Sequence, residues 1–239
     1  MIPLRDTIRS RHTPVMTWLI VGANVVVFLF QLTLNNSQLQ TFVNNFALTP
    51  ATWQTQPVWF VMTMFTSMFM HSGWLHIISN MWILLIFGDN VEDRMGPFGF
   101  LAFYLLSGLA AGTLQVVVQS TSTIPTLGAS GAIAGVMGAY IILFPRSRVI
   151  TLIPIFFFFT TVNIPAILYL GFWFFSQFFS GLASLGQVTM GGVAWFAHIG
   201  GFLFGVLMVR WFLFRSPPPP PNVITLSPQD YESQDRYQW

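Results

Sequence analysis

Residues 128–139 read Gly128-Ala129-Ser130-Gly131-Ala132-Ile133-Ala134-Gly135-Val136-Met137-Gly138-Ala139, and nine of these twelve are Gly, Ala or Ser. Small residues at that density make sense if another helix approaches this backbone closely, the packing device of helices in a bilayer. A second stretch supplies the match: Gly201 and Gly205 follow His198 by three and seven residues and share its helical face. The expectation is that these two segments pack together, with Ser130 and His198 at the same end of the contact.

The rest of the chain supports a membrane setting. Its 239 residues carry nine basic and seven acidic side chains, 7% of the sequence, against 54% hydrophobic and 17% aromatic residues. Mean hydropathy is +0.67. So few charges could not cover a soluble protein of this size, which excludes a disordered chain, a nucleic-acid binder with a basic face and a soluble enzyme. All nine basic residues are arginine, and there is no lysine. Cysteine is absent too, which removes disulfides, thiolate metal sites and cysteine nucleophiles. The pI near 9.4 reflects a surplus of two charges and says little about partners.

A span needs about 20 apolar residues. Candidates are residues 16–34, 74–87, 98–119, 129–144 and 193–214; the first lacks the short core and cleavage site of a signal peptide. Residues 149–180 are too long for one span and too short for two. Arginine placement decides the count. Arg146 and Arg148 precede this stretch, and Arg210 and Arg215 end the last span. If both pairs are cytoplasmic, an even number of crossings separates them, which places span five at 164–180. Residues 149–160 are then expected as an interfacial or tilted extension. The total is six, and with Arg5, Arg9 and Arg11 cytoplasmic every charge falls on one side. The outer segments 35–73, 120–128 and 181–192 contain no Arg, Asp or Glu.

The expected architecture is thus an all-α six-helix membrane bundle over residues 15–215, with a cytoplasmic tail at 1–14. The apolar, aromatic second half of the first outer loop, 57–70, is expected to embed in the membrane. Residues 216–239 read as a disordered cytoplasmic tail whose run Pro217–Pro221 is a candidate ligand for an adaptor domain. No internal repeat is evident.

Polar side chains inside spans are functional suspects. His76, Asn80, Ser130 and His198 all fall in the first turns of spans two, four and six, which run from outside to inside, so they share one depth. A serine within reach of an imidazole is a nucleophile and base. Asn80, a His76 ring N–H and the Ser130 backbone N–H at a helix N-terminus could serve an oxyanion. Taken alone, His76 could be structural and Asn80 helix–helix glue. All seven acids lie at the cytoplasmic face, so the pair is expected to act without a carboxylate. A metal or haem site built from His12, His71, His76 and His198 is disfavoured, because His71 and His76 do not share a helix face and His12 is at the other end. No cofactor or metal is expected. A transporter would require repeats that the sequence lacks.

Four ordered motifs carry a family resemblance: His71-Ser72-Gly73-Trp74-Leu75-His76-Ile77-Ile78-Ser79-Asn80, Gly88-Asp89-Asn90-Val91-Glu92, Gly128-Ala129-Ser130-Gly131, and Ala197-His198-Ile199-Gly200-Gly201 with Gly205. Over residues 15–215 the chain resembles the rhomboid intramembrane serine proteases. The resemblance implies Ser130 as nucleophile, His198 as general base, and His76, Asn80 and the Ser130 N–H as oxyanion hole. It implies structural roles for His71 and Glu92, and substrates that are transmembrane proteins in the surrounding lipid. Some members carry a tyrosine one turn after the serine, stacked on the histidine. Ala134 stands there in this chain, so support for His198 must come from elsewhere. An inactive rhomboid-like protein that binds client transmembrane helices is the alternative. The compact core suggests a bacterial plasma membrane, with both termini cytoplasmic.

Overall fold

A computed structural model describes residues 1–155, 158–185 and 193–213. Five helices are long and apolar enough to cross a membrane: α1 (Val15–Thr33), α4 (Trp74–Met95), α5 (Pro97–Val118), α7 (Ala166–Ser184) and α8 (Trp195–Leu213). A sixth apolar helix, α6 (Ser130–Leu143), has only 14 residues. The protein is a mostly helical membrane protein, its five to six apolar helices following the apolar runs of the sequence. Pro217–Pro221 and the rest of the tail lie outside the described residues.

The short helix is the centre of the bundle. All ten residues from Gly131 to Tyr140 are buried, enclosed by α4, α5, α7 and α8. At 1.5 Å per residue α6 spans about 21 Å, less than the hydrocarbon core of about 30 Å. Its first residue is therefore recessed below the outer end of its neighbours. The irregular chain that leads down to it lines a cavity at residues 124–128, where non-helical backbone is tolerated at membrane depth.

Glycine brings α8 onto α6, as the small-residue pattern predicted. A Cβ at Gly201 would overlap the Gly131 carbonyl, one at Gly205 the Gly135 carbonyl, and one at Gly138 the Phe202 carbonyl. The two backbones touch along two turns.

Charged groups tie the opposite end. Glu92 is buried and accepts from the N–H groups of Met16 (2.9 Å) and Thr17 (2.7 Å) and from the Thr17 hydroxyl (2.8 Å). A carboxylate there satisfies the free donors of α1's first turn and opposes its positive dipole end. Asp93 accepts from the backbone N–H groups of Arg11 and His12, and its carboxylate lies 2.6 Å from His12 Nδ1.

Residues 149–160 depart from expectation. Where an interfacial or tilted extension was expected, the described residues among them belong to two paired strands, β2 (Arg148–Ile155) and β3 (Phe158–Pro165), and β2 also pairs with β1 (Ile2–Asp6) in an antiparallel sheet of order β1-β2-β3. The all-α expectation holds for the spans and is corrected here. The physical reason is composition: Val149, Ile150, Thr151, Ile153, Thr160, Thr161 and Val162 are β-branched, and Pro154 cannot donate within a helix. Residues 1–14 likewise pack along α4 rather than trailing from it. Trp82 Nε1 donates to the Pro3 carbonyl (2.6 Å), and Asn90 Nδ2 (2.9 Å) and the Tyr140 hydroxyl (2.5 Å) donate to Asp6. Span five begins at Ala166, two residues later than expected.

The first outer loop folds as α2 (Asn36–Phe46) and α3 (Pro57–Thr66). Asn35 and Gln38 form a capping box at the start of α2. Trp59 Nε1 donates to the Asn45 carbonyl (2.8 Å) and the Thr66 hydroxyl to that of Phe46 (2.6 Å), joining the two helices. Val58, Val61, Met62 and Phe65 remain exposed on α3, an apolar surface suited to lipid.

Candidate active site

Ser130 is the first residue of α6, and His198 lies in the first turn of α8. The backbone contact between those helices brings Ser130 Oγ to 2.7 Å from His198 Nε2. Both line a cavity of about 620 Å³ together with His76, Asn80 and Met68. The common depth expected for the four polar residues is thus realised as one site.

Each supporting group has a visible cause for its position. The segment before Ser130 is strung between outer loops: Leu48 and Thr126 exchange N–H···O bonds (2.9 and 2.8 Å), and Gly128 N–H donates to the Ser67 carbonyl (2.9 Å). Gly128 has φ +129° and a Cβ there would lie 2.8 Å from His76 Nε2, so glycine is required twice over. The first-turn N–H groups of α6, beginning at Ser130, have no acceptor within the helix. At α8 the Ala197 N–H donates to Gln115 Oε1 (3.2 Å), which leaves the imidazole one residue on facing Ser130.

His76 Nδ1 accepts from the Ser72 backbone N–H (3.4 Å) and lies 3.0 Å from the Ser72 hydroxyl. Its proton therefore belongs on Nε2, the nitrogen that lies against Gly128 beside the cavity. Asn80 Nδ2 is buried with no hydrogen-bond partner among the described residues. A buried amide donor without an acceptor costs about 1–3 kcal/mol, a cost a ligand oxygen in the cavity would remove. Both residues line the cavity that Ser130 also lines.

His71 is not a cavity residue. It is fully buried behind His76, with ring centroids 5.0 Å apart, and burial, then the His76 ring, pushes its pKa down to about 4. Its backbone is gripped by Gln31 of α1, which donates to the His71 carbonyl (3.1 Å) and accepts its N–H (3.0 Å). Glu92 stands at the far end of α4, and His12 beside it, so the four histidines do not converge. Gly131, Gly201 and Gly205 form the α6–α8 contact that sets the Ser130–His198 distance.

Two residues escaped the sequence reading. Gln31 is one. The other is Gln177 of α7, whose Oε1 lies 2.7 Å from His198 Nδ1; the indole of Trp173, one turn earlier, sits 5.6 Å from the imidazole. These fill the place left open by Ala134. A signal existed: Gln177 is a lone amide in an aromatic span, the kind of intramembrane polar residue that merits suspicion.

The chain is 25% identical over 216 residues to Rhomboid protein 1, mitochondrial, of Saccharomyces cerevisiae, covering 86% of this chain and 55% of that protein. It is 29% identical over 199 residues to human presenilin-associated rhomboid-like protein, mitochondrial, covering 80% and 47%. It is 33% identical over 87 residues to Rhomboid-like protein 11, chloroplastic, of Arabidopsis thaliana, covering 36% and 30%. The chain spans about half the length of the first two relatives. With residues 58–216 matching the Rhomboid domain, a stretch that contains His76, Asn80, Ser130 and His198, the chain belongs to the rhomboid family.

Proposed function

We propose that the protein is an intramembrane serine endopeptidase working through a Ser130–His198 dyad on transmembrane segments of membrane proteins. The observation that carries this is the 2.7 Å contact between Ser130 Oγ and His198 Nε2 beside an unpartnered Asn80 amide. Ser130 Oγ attacks a peptide carbonyl carbon while His198 Nε2 takes its proton. The carbonyl oxygen becomes an oxyanion that accepts from Asn80, His76 Nε2 and the Ser130 N–H. Collapse breaks the C–N bond, and His198 returns its proton to the leaving amine. Water then repeats the sequence on the acyl-serine, with His198 again as base. Glycine and alanine at positions 131, 132 and 197 line the cavity beside Ser130, which favours a small side chain at the cut.

A fluorophosphonate probe is expected to label the detergent-purified protein at Ser130, and labelling should vanish in Ser130→Ala and His198→Ala. Cleavage of a transmembrane substrate that survives Ser130→Ala would overturn the assignment.

We further propose a bacterial plasma-membrane location with the charged end of the bundle cytoplasmic. Support comes from α1, α4, α6 and α8, whose flanking arginines share one end. Because the chain has no cysteine, single cysteines report sidedness directly. In intact cells an impermeant maleimide should label Ser37→Cys in the first loop and leave Arg9→Cys unlabelled until lysis. The reverse pattern would invert the topology.

A further inference from the structure

Four hydrogen bonds run in series through the site, and their direction is fixed at one end. The Ser176 hydroxyl spends its proton on the Trp173 carbonyl at 2.6 Å. Toward its other neighbour it can only accept, which it does from Gln177 Nε2 at 3.0 Å. The amide of Gln177 is thereby oriented, because its nitrogen must face Ser176 and its oxygen His198. That oxygen has only lone pairs to offer, so His198 must carry its proton on Nδ1, across the 2.7 Å contact. Nε2 is then left with a lone pair aimed at the Ser130 hydroxyl, 2.7 Å away.

The opposite orientation has a definite consequence. A flipped Gln177 would present N–H to Nδ1, force the ring proton onto Nε2 and turn it toward Ser130 Oγ. A base so protonated cannot accept the serine proton. The contact would persist and the chemistry would stop.

We infer that Gln177, held by Ser176, is the positioning residue that fixes the reactive tautomer of His198. This rests on the dyad proposed above and extends it with a neutral third member. The physical sense lies in the surroundings. Gln177 and His198 are both buried, in the half of the bundle away from the acidic residues. A carboxylate there would carry a large desolvation cost, whereas an amide supplies the same acceptor at a single hydrogen bond's strength. The Trp173 indole also packs against the ring, 5.6 Å away, so orientation is shared between one directional bond and packing.

The test uses the full chain in micelles with a fluorogenic transmembrane substrate. Gln177→Leu is expected to lower kcat about ten- to hundredfold with KM unchanged, and Gln177→Asn, which keeps a neutral amide acceptor, to recover part of that loss. Wild-type kcat in Gln177→Leu would overturn the inference, as would equal losses in the two variants accompanied by a raised KM. Should Gln177→Leu fail to fold, the wild-type protein decides: 15N-histidine NMR, with His198→Ala for assignment, should show the Nδ1–H tautomer at His198. An Nε2–H tautomer would overturn the inference. Ser130→Ala is run alongside, since its residual cleavage bears on the dyad alone.

Discussion

Ser130→Ala, His198→Ala and the double variant are each expected to lower turnover by nearly the same factor, on the order of 10⁴ or more. A nucleophile and its base act as one unit. Without the imidazole, Ser130 keeps its proton and attacks poorly; without the hydroxyl, His198 has nothing to activate. Independent contributions would instead multiply, to roughly 10⁸ in the double variant, a gap of about 5.5 kcal/mol. Initial rates on a transmembrane peptide separate the two outcomes. Multiplicative losses would mean that Ser130 and His198 do not work on the same proton. Asn80→Ala should act differently, lowering kcat by about 10²–10³ as loss of a single oxyanion donor does.

Gly201→Val should unfold or grossly destabilise the bundle, by about 3 kcal/mol or more. The added Cβ would overlap the Gly131 carbonyl, and a backbone atom one residue from the nucleophile cannot step aside as a flexible side chain would. The helices must separate, which also widens the 2.7 Å contact between Ser130 and His198. Gly205→Val faces the Gly135 carbonyl in the same way. Gly22 in α1 and Gly171 in α7 have nothing within 4 Å of a new Cβ. Alanine at those two is expected to be neutral or to stabilise by about 0.5–1 kcal/mol. Thermal unfolding in micelles gives the comparison, and a tolerated Gly201→Val would contradict the close packing.

Much of this was legible in the residues themselves. The apolar runs placed the spans within about four residues, except that α4 continues eight residues past the expected end at residue 87, because lipid demands both length and hydrophobicity. Read by the positive-inside rule, the arginines imply one polarity, and from that polarity Ser130, His198, His76 and Asn80 are expected at one depth. The sheet was not legible. β2 pairs with β1 across about 145 residues of chain, and a short apolar run carries no periodicity that separates strand from helix at such range. Gln177 was missed for a geometric reason. Depth was counted from the outer ends of spans two, four and six, while α7 rises to that depth from its other end. Its starting point, Ala166, depended on the paired strands. The Gln31 grip on His71 is a contact between side chain and backbone, and no residue pattern announces it.

Among the described residues no acid or arginine lines the cavity at Ser130, which bears on the electrical environment of the membrane. A potential does work on charge, about 2.3 kcal/mol per elementary charge moved through 100 mV. Ser130, His76, Asn80 and Gln177 with the Nδ1–H form of His198 carry no formal charge. The described ionisable carboxylates and guanidinium groups are anchored where α1 begins and α4, α6 and α8 end. Energising or collapsing the membrane therefore leaves the resting arrangement of these side chains unbiased. A voltage could act only on the transient oxyanion and imidazolium, which arise as an opposed pair a few ångströms apart.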